Sequence, residues 1–188
     1  IGLHFIRNAA HFTGQNLWFY ALPLVPLTQL FALEFTTPIW VIILSPLILK
    51  ERLTLVGIAA ALLGFFGVLL VARPEAAPIG IGFFSAAGCA VFFAITAILT
   101  RMRSRTDSST CIMFYLTLSQ AIFGAAMLFI VLPVANSAGL TLFGLSGGVT
   151  WPPLSIWPWV ILIGIAGLLA HYCLTTALSL APANIVMP

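Results

Sequence analysis

The chain has 188 residues, of which 62% are hydrophobic and 6% charged, with a net charge of +3 and a mean hydropathy of +1.18. A soluble domain carries about 25% charged residues to cover its surface. This chain cannot cover one, so its solvent must be mostly lipid, and its few scattered charges leave no footprint for nucleic acid.

A transmembrane helix needs about 20 largely apolar residues. Six segments qualify, namely 4–24, 28–49, 54–72, 79–99, 111–132 and 157–178, and a seventh starts near Asn184. Their breaks carry turn residues or charge, from "LPLVPL" and "KERLT" to "RMRSRTDSST" and "SLAPAN". No stretch alternates with period two over barrel-strand lengths, so the fold class is an all-α polytopic bundle. The chain starts at Ile1, shows no signal-peptide pattern and stops at Pro188 as an apolar segment begins, so it reads as part of a longer membrane protein.

The first span carries His4, Asn8, His11 and Gln15 on one helical face. Arg7 and His4 are expected at the membrane surface, where a long basic side chain can snorkel to water. His11 and Gln15 lie deeper and are cavity candidates. The second span contains "LFALEFTTPIWVII", an apolar run with one carboxylate, Glu34. A charge at a helix centre costs about 2.5–3.5 kcal/mol on insertion scales, and intramembrane acids are functional by default. Pro38 has no N–H, so the carbonyl four residues back, that of Glu34 itself, loses its partner beside a kink. Thr37 adds a hydroxyl to the same face. Glu34 would suit a proton, a cation or a substrate amine.

The third span carries the small-residue stripe Gly57, Ala60, Ala61, Gly64 and Gly67, expected to serve helix packing. The fourth places Ser85, Cys89, Thr96 and Thr100 on one face, with Phe92 or Phe93 between; backbone hydrogen bonding accounts for these hydroxyls. In the fifth, Tyr115 is a candidate lining aromatic, with Ser119 one turn on. The three cysteines, Cys89, Cys111 and Cys173, lack metal-ligand spacing and read as small hydrophobes, so no metal is expected.

Alternate crossings put Arg7, Lys50, Arg52, Arg101, Arg103 and Arg105 on one side and Arg73 on the other. By the positive-inside rule the first side, with the Ile1 end, is cytoplasmic. Lys50, Glu51 and Arg52 set topology, and Glu51 is placed to favour the dipole of the next helix. The loop 133–156 is then external, and Trp151, Trp157 and Trp159 fall where an interfacial aromatic belt belongs.

A weak repeat links "YALPLVPL" at Tyr20 with "TALSLAPA" at Thr176, an offset of 156 residues. It makes the first span equivalent to the sixth and sets Gln15 opposite His171. Each repeat then holds five spans, and an odd number inverts the second copy, a frequent plan in secondary transporters. Residues 1–73 become the C-terminal part of one repeat and 79–188 the N-terminal part of the next.

"RNAAHFTGQNLWFYALPLVPL", "ALEFTTPIW" and "LILKERLTLVGIAAALLGFFGVLLVARP" together resemble the first repeat of EamA-type proteins in the drug/metabolite transporter superfamily. "AITAILTRMRSRTDS" and "GLLAHYCLTTALSLAPANIVMP" resemble parts of its second repeat. The family usually has Gly before the Glu of the short charged turn; here Lys50 precedes Glu51, which should alter a loop rather than the fold. The resemblance implies ten helices in two inverted repeats, a central substrate cavity and alternating access. It implies no particular substrate.

The expectation is therefore a secondary transporter for a small metabolite or drug-like solute in a bacterial-type inner membrane, with no organic cofactor and no catalytic residues. Its candidate residues are Glu34, Thr37, Pro38, His11, Gln15, His171 and Tyr115. Protons are the coupling ion if Glu34 titrates, and without its flanking helices the chain is expected not to transport. One enzymatic alternative rests on "GLSG" at Gly144–Gly147, which resembles the nucleophile motif of rhomboid-type intramembrane proteases, with Ser146 as nucleophile and His171 as base.

Overall fold

A computed structural model describes residues 2–72, 80–137 and 151–187. Arg73, Ser146 and most of the external loop lie outside the described residues. The regular elements among the described residues are helices: α1 (Gly2–Ala21), α2 (Leu27–Glu34), α3 (Thr37–Ile48), α4 (Leu55–Ala72), α5 (Ile81–Arg103), α6 (Ser109–Ala126), α7 (Leu132–Ser137), α8 (Trp157–Leu180) and the short α9 (Ala183–Val186). A π turn, Met127–Val131, joins α6 to α7 just before Pro133. A wider turn there is one of the recognised ways a helix absorbs a residue without an N–H.

Among the described residues four stretches are long and apolar enough to cross a membrane: Leu27–Ile48, Ile81–Arg103, Ser109–Ala135 and Leu154–Leu180. The other two expected spans are helical as α1 and α4. Helix α1 is the polar one, and His4, Arg7, Asn8 and His11 are all buried. Its polar face is covered by neighbouring helices, while its apolar Phe5, Ile6 and Phe19 stay exposed. The small residues Ala86, Ala90, Ala94 and Ala97 of α5 are buried, as the close packing of α1 along that helix requires. At Gly14 a Cβ would stand 2.9 Å from the Phe93 ring, so the approach of the two helices depends on that glycine. Below it a core of Val41, Ala94, Ala97, Ile98, Leu178 and Ala183 joins α3, α5, α8 and α9.

The expected small-residue stripe packs at one end only. A Cβ on Gly57 would lie 2.4 Å from the Asn184 carbonyl oxygen of α9, and Ala61 is buried, whereas Gly64 and Gly67 have nothing within 4 Å.

The second span is broken. Phe35 and Thr36 separate α2 from α3, and the Glu34 carbonyl that Pro38 leaves without an amide is taken by the Thr37 hydroxyl at 2.6 Å. The sequence predicts a free carbonyl there; the Thr37 hydroxyl one turn on removes the vacancy.

The charged turn holds the basic end together. Glu51 accepts from Arg101 Nε at 2.9 Å, Arg105 Nη2 at 3.1 Å and the Ala183 backbone N–H at 3.2 Å. It therefore serves the start of α9, not the dipole of α4. Lys50, just past the end of α3, has φ of 56°. This is the left-handed region that glycine fills at helix C-termini, which explains why the resembled family carries glycine there. A left-handed backbone costs an L-residue roughly 1–2 kcal/mol, part of which glycine gives back in chain entropy. Lys50→Gly is therefore expected to stabilise the protein by about 1 kcal/mol. A thermal midpoint in detergent at or below wild type would contradict this.

Candidate functional site

The helices line a half-open cavity of about 400 Å³, within the range of small-molecule sites. Three neighbouring elements of the first half supply Arg7, His11 and Gln15 from α1, and Glu34, Phe35, Thr37 and Pro38 from the α2–α3 break. The second half supplies Phe93, Thr96 and Thr100 from α5, and His171, Leu174 and Thr175 from α8. Six of the seven sequence-nominated residues thus share one wall system. The exception is Tyr115, which is not among the lining residues. Its ring stacks on His4, with centroids 4.3 Å apart, and its carbonyl accepts from Asn8 Nδ2 at 2.8 Å.

Each polar group has a definable position. Trp18 Nε1 donates to Glu34 Oε2 at 2.7 Å, tying α1 to the end of α2. Glu34 meets no cationic side chain among the described residues. The His11 and His171 rings meet edge to face, with centroids 4.9 Å apart, and His11 also lies 5.9 Å from Phe93. A histidine of α1 and one of α8 therefore meet at the cavity wall, and the ring that His171 touches is His11. Thr96 and Thr100 donate back to the carbonyls one turn earlier, as expected of membrane hydroxyls, and still line the space.

Arg7 departs most from expectation. It is 2% exposed and lines the cavity. Its Nε donates to Thr100 Oγ1 at 2.8 Å and its Nη1 to Asn8 Oδ1 at 2.9 Å. Proximity to the chain start suggested a surface position; the acceptors on α5 and α1 hold the guanidinium inside. The one available signal was that Arg7 sits beside Asn8 on the polar side of α1.

Towards the basic end, His4 Nε2 and Asp107 Oδ2 are 2.7 Å apart, and Arg103 pairs with the same carboxylate. Desolvation pushes the Asp107 carboxyl up, but hydrogen bonds from Arg103 and His4, with their charges, outweigh it and hold it below the ordinary range. Cys111 is close enough to complete a three-atom cluster with His4 and Asp107 within 4.8 Å. Arg103 Nη2, 3.2 Å from His4 Nε2, already supplies the positive charge there, so the cluster is an ion-paired latch between α1 and the α5–α6 turn.

The protease alternative gains no support. Ser146 lies outside the described residues, and His171 faces His11 and the cavity.

Residues 5–73 match the EamA-like transporter family. The chain is 31% identical over 188 residues to a riboflavin transporter of Brucella anthropi, covering 100% of this chain and 62% of the relative. It is 27% identical over 188 residues to a riboflavin transporter of Vibrio cholerae, with 58% of that protein covered. Identity to an S-adenosylmethionine uptake transporter of Rickettsia bellii is 23% over 186 residues, again with 58% covered. The chain therefore spans less than two thirds of the length of these curated relatives. No solved structure matches.

Proposed function

We propose that the chain, whose residues 5–73 match the EamA-like transporter family, is part of a member of that family and builds the solute-holding part of a secondary transporter for a small metabolite. The observation that carries this reading is the cavity itself. Residues from both halves of the chain meet around it, with one carboxylate, one guanidinium, two facing histidines and a few hydroxyls set among apolar and aromatic side chains. That is the make-up of a site that orients a small ligand with few polar contacts.

Residues 1–73 and 79–188 act as parts of two inverted repeats, and alternating access follows from their rocking about the cavity. The Ile1 end is cytoplasmic and the membrane a bacterial inner membrane. The broken helix at Phe35–Thr36 supports this mechanism, because interrupted helices at a repeat interface are where such transporters hold solutes. Glu34 is the coupling or cation-recognising group, Gln15 and the two histidines contact solute, and Thr37 and Pro38 shape the break.

Riboflavin and S-adenosylmethionine, which name the relatives' substrates, share a planar heteroaromatic ring system. Such a ring suits the space beside Phe93, His11 and His171, where offset and edge contacts are favourable. The test is uptake into proteoliposomes by protein made from its full coding sequence. Saturable uptake of one of the two, accelerated by an inward proton gradient, is expected. Uptake of both indistinguishable from protein-free vesicles would end this reading.

A further inference from the structure

We propose that Arg7 is the oxyanion-recognising residue of the cavity, and that the solute carried there bears a carboxylate or phosphate group. The inference rests on the transport reading above and goes beyond it by naming the charge of the solute. Arg7 is 2% exposed, yet lines the cavity. A guanidinium stays ionised in proteins, and burying it without a counter-charge is costly. Among the described residues no carboxylate pairs with it.

Its hydrogen bonds hold it in place without neutralising it. Thr100 Oγ1 takes Nε and Asn8 Oδ1 takes Nη1. Both acceptors are themselves anchored: the Thr100 hydroxyl donates to the Thr96 carbonyl at 2.7 Å, and Asn8 Nδ2 donates to the Tyr115 carbonyl and, at 2.9 Å, to Ser119 Oγ. The plane of the guanidinium is thus fixed from two sides, while Nη2 donates to nothing among the described residues. A charged, oriented fork with one nitrogen free at a cavity wall is the arrangement that recognises a planar or tetrahedral oxyanion. Glu34 lines the same cavity, so a solute carrying a cation or donor as well as an anion can satisfy both walls.

The probes are two matched pairs that differ by one anionic group: S-adenosylmethionine against its decarboxylated analogue, and riboflavin 5′-phosphate against riboflavin. Thermal stabilisation of the detergent-purified full-length protein reads their apparent affinities. In at least one pair the anionic member should bind wild type about 30-fold or more tightly than its partner, the factor expected for one buried charge-assisted contact. Which pair responds separates carboxylate from phosphate. In Arg7→Gln the ratio of affinities within that pair should collapse towards one, and Arg7→Lys should keep part of it. Equal binding within both pairs overturns the inference and leaves the transport reading intact. So does an Arg7→Gln protein that melts far below both wild type and Arg7→Lys without ligand, because the charge would then have a partner inside the fold. Wild type indifferent to all four probes counts against the cavity as a solute site, and takes both readings down together.

Discussion

Glu34→Gln is expected to lower solute uptake by about 30-fold or more, the scale of one lost buried charge interaction, and to flatten what remains against pH. The substitution is nearly isosteric, and its amide oxygen can still accept from Trp18 Nε1, which holds Glu34 Oε2 at 2.7 Å. The α1–α2 contact should therefore survive, and the variant should fold and reconstitute as wild type does. What it loses is the ability to exchange a proton or to pair with a cation. Uptake measured across a series of imposed proton gradients checks this. A variant retaining both the wild-type rate and its pH dependence would reduce Glu34 to a structural partner of Trp18.

The second large effect is on stability. Asn8 is 0% exposed and ties three groups together: Arg7 donates to its Oδ1, while its Nδ2 donates to the Tyr115 carbonyl and to Ser119 Oγ. Leucine at this position fits the volume but answers none of them. A buried polar group left unpaired costs about 1–3 kcal/mol, and more when it is charged. Asn8→Leu should then cost about 3 kcal/mol or more, because α6 loses both hydrogen bonds from the Asn8 amide and Arg7 loses one of its two clamps. A melting curve within a degree or two of wild type would show that the bundle does not depend on this junction. Ser119→Ala removes a single contact and should cost far less.

Both residues stand out in the sequence for the same reason, as polar groups in apolar runs. That signal located Glu34, His11, Gln15 and His171, all of which reach the cavity. The helical period set their faces, and turn chemistry set most helix boundaries. Contacts between distant helices were less visible. Tyr115 shares its face with Ser119, but α6 turns that side towards His4 and Asn8, so the ring stacks outside the cavity lining. Arg7 reads as a surface residue until Thr100 is known to lie against it. The break at Phe35–Thr36 was signalled by Pro38, whereas the capture of the Glu34 carbonyl by Thr37 depends on a rotamer. In the sequence Lys50 is only a departure from a resembled pattern; the backbone angle of 56° supplies its physical meaning.

The bond between Trp18 and Glu34 also makes the protein its own optical indicator. An indole N–H that faces a carboxylate feels a different field from one that faces a neutral carboxyl, so its emission should follow the proton on Glu34. The other four tryptophans, Trp40, Trp151, Trp157 and Trp159, are all exposed side chains that phenylalanine can replace without opening the core. A version with Trp18 alone would report, without any added label, the protonation state of that carboxylate as pH or solute is varied.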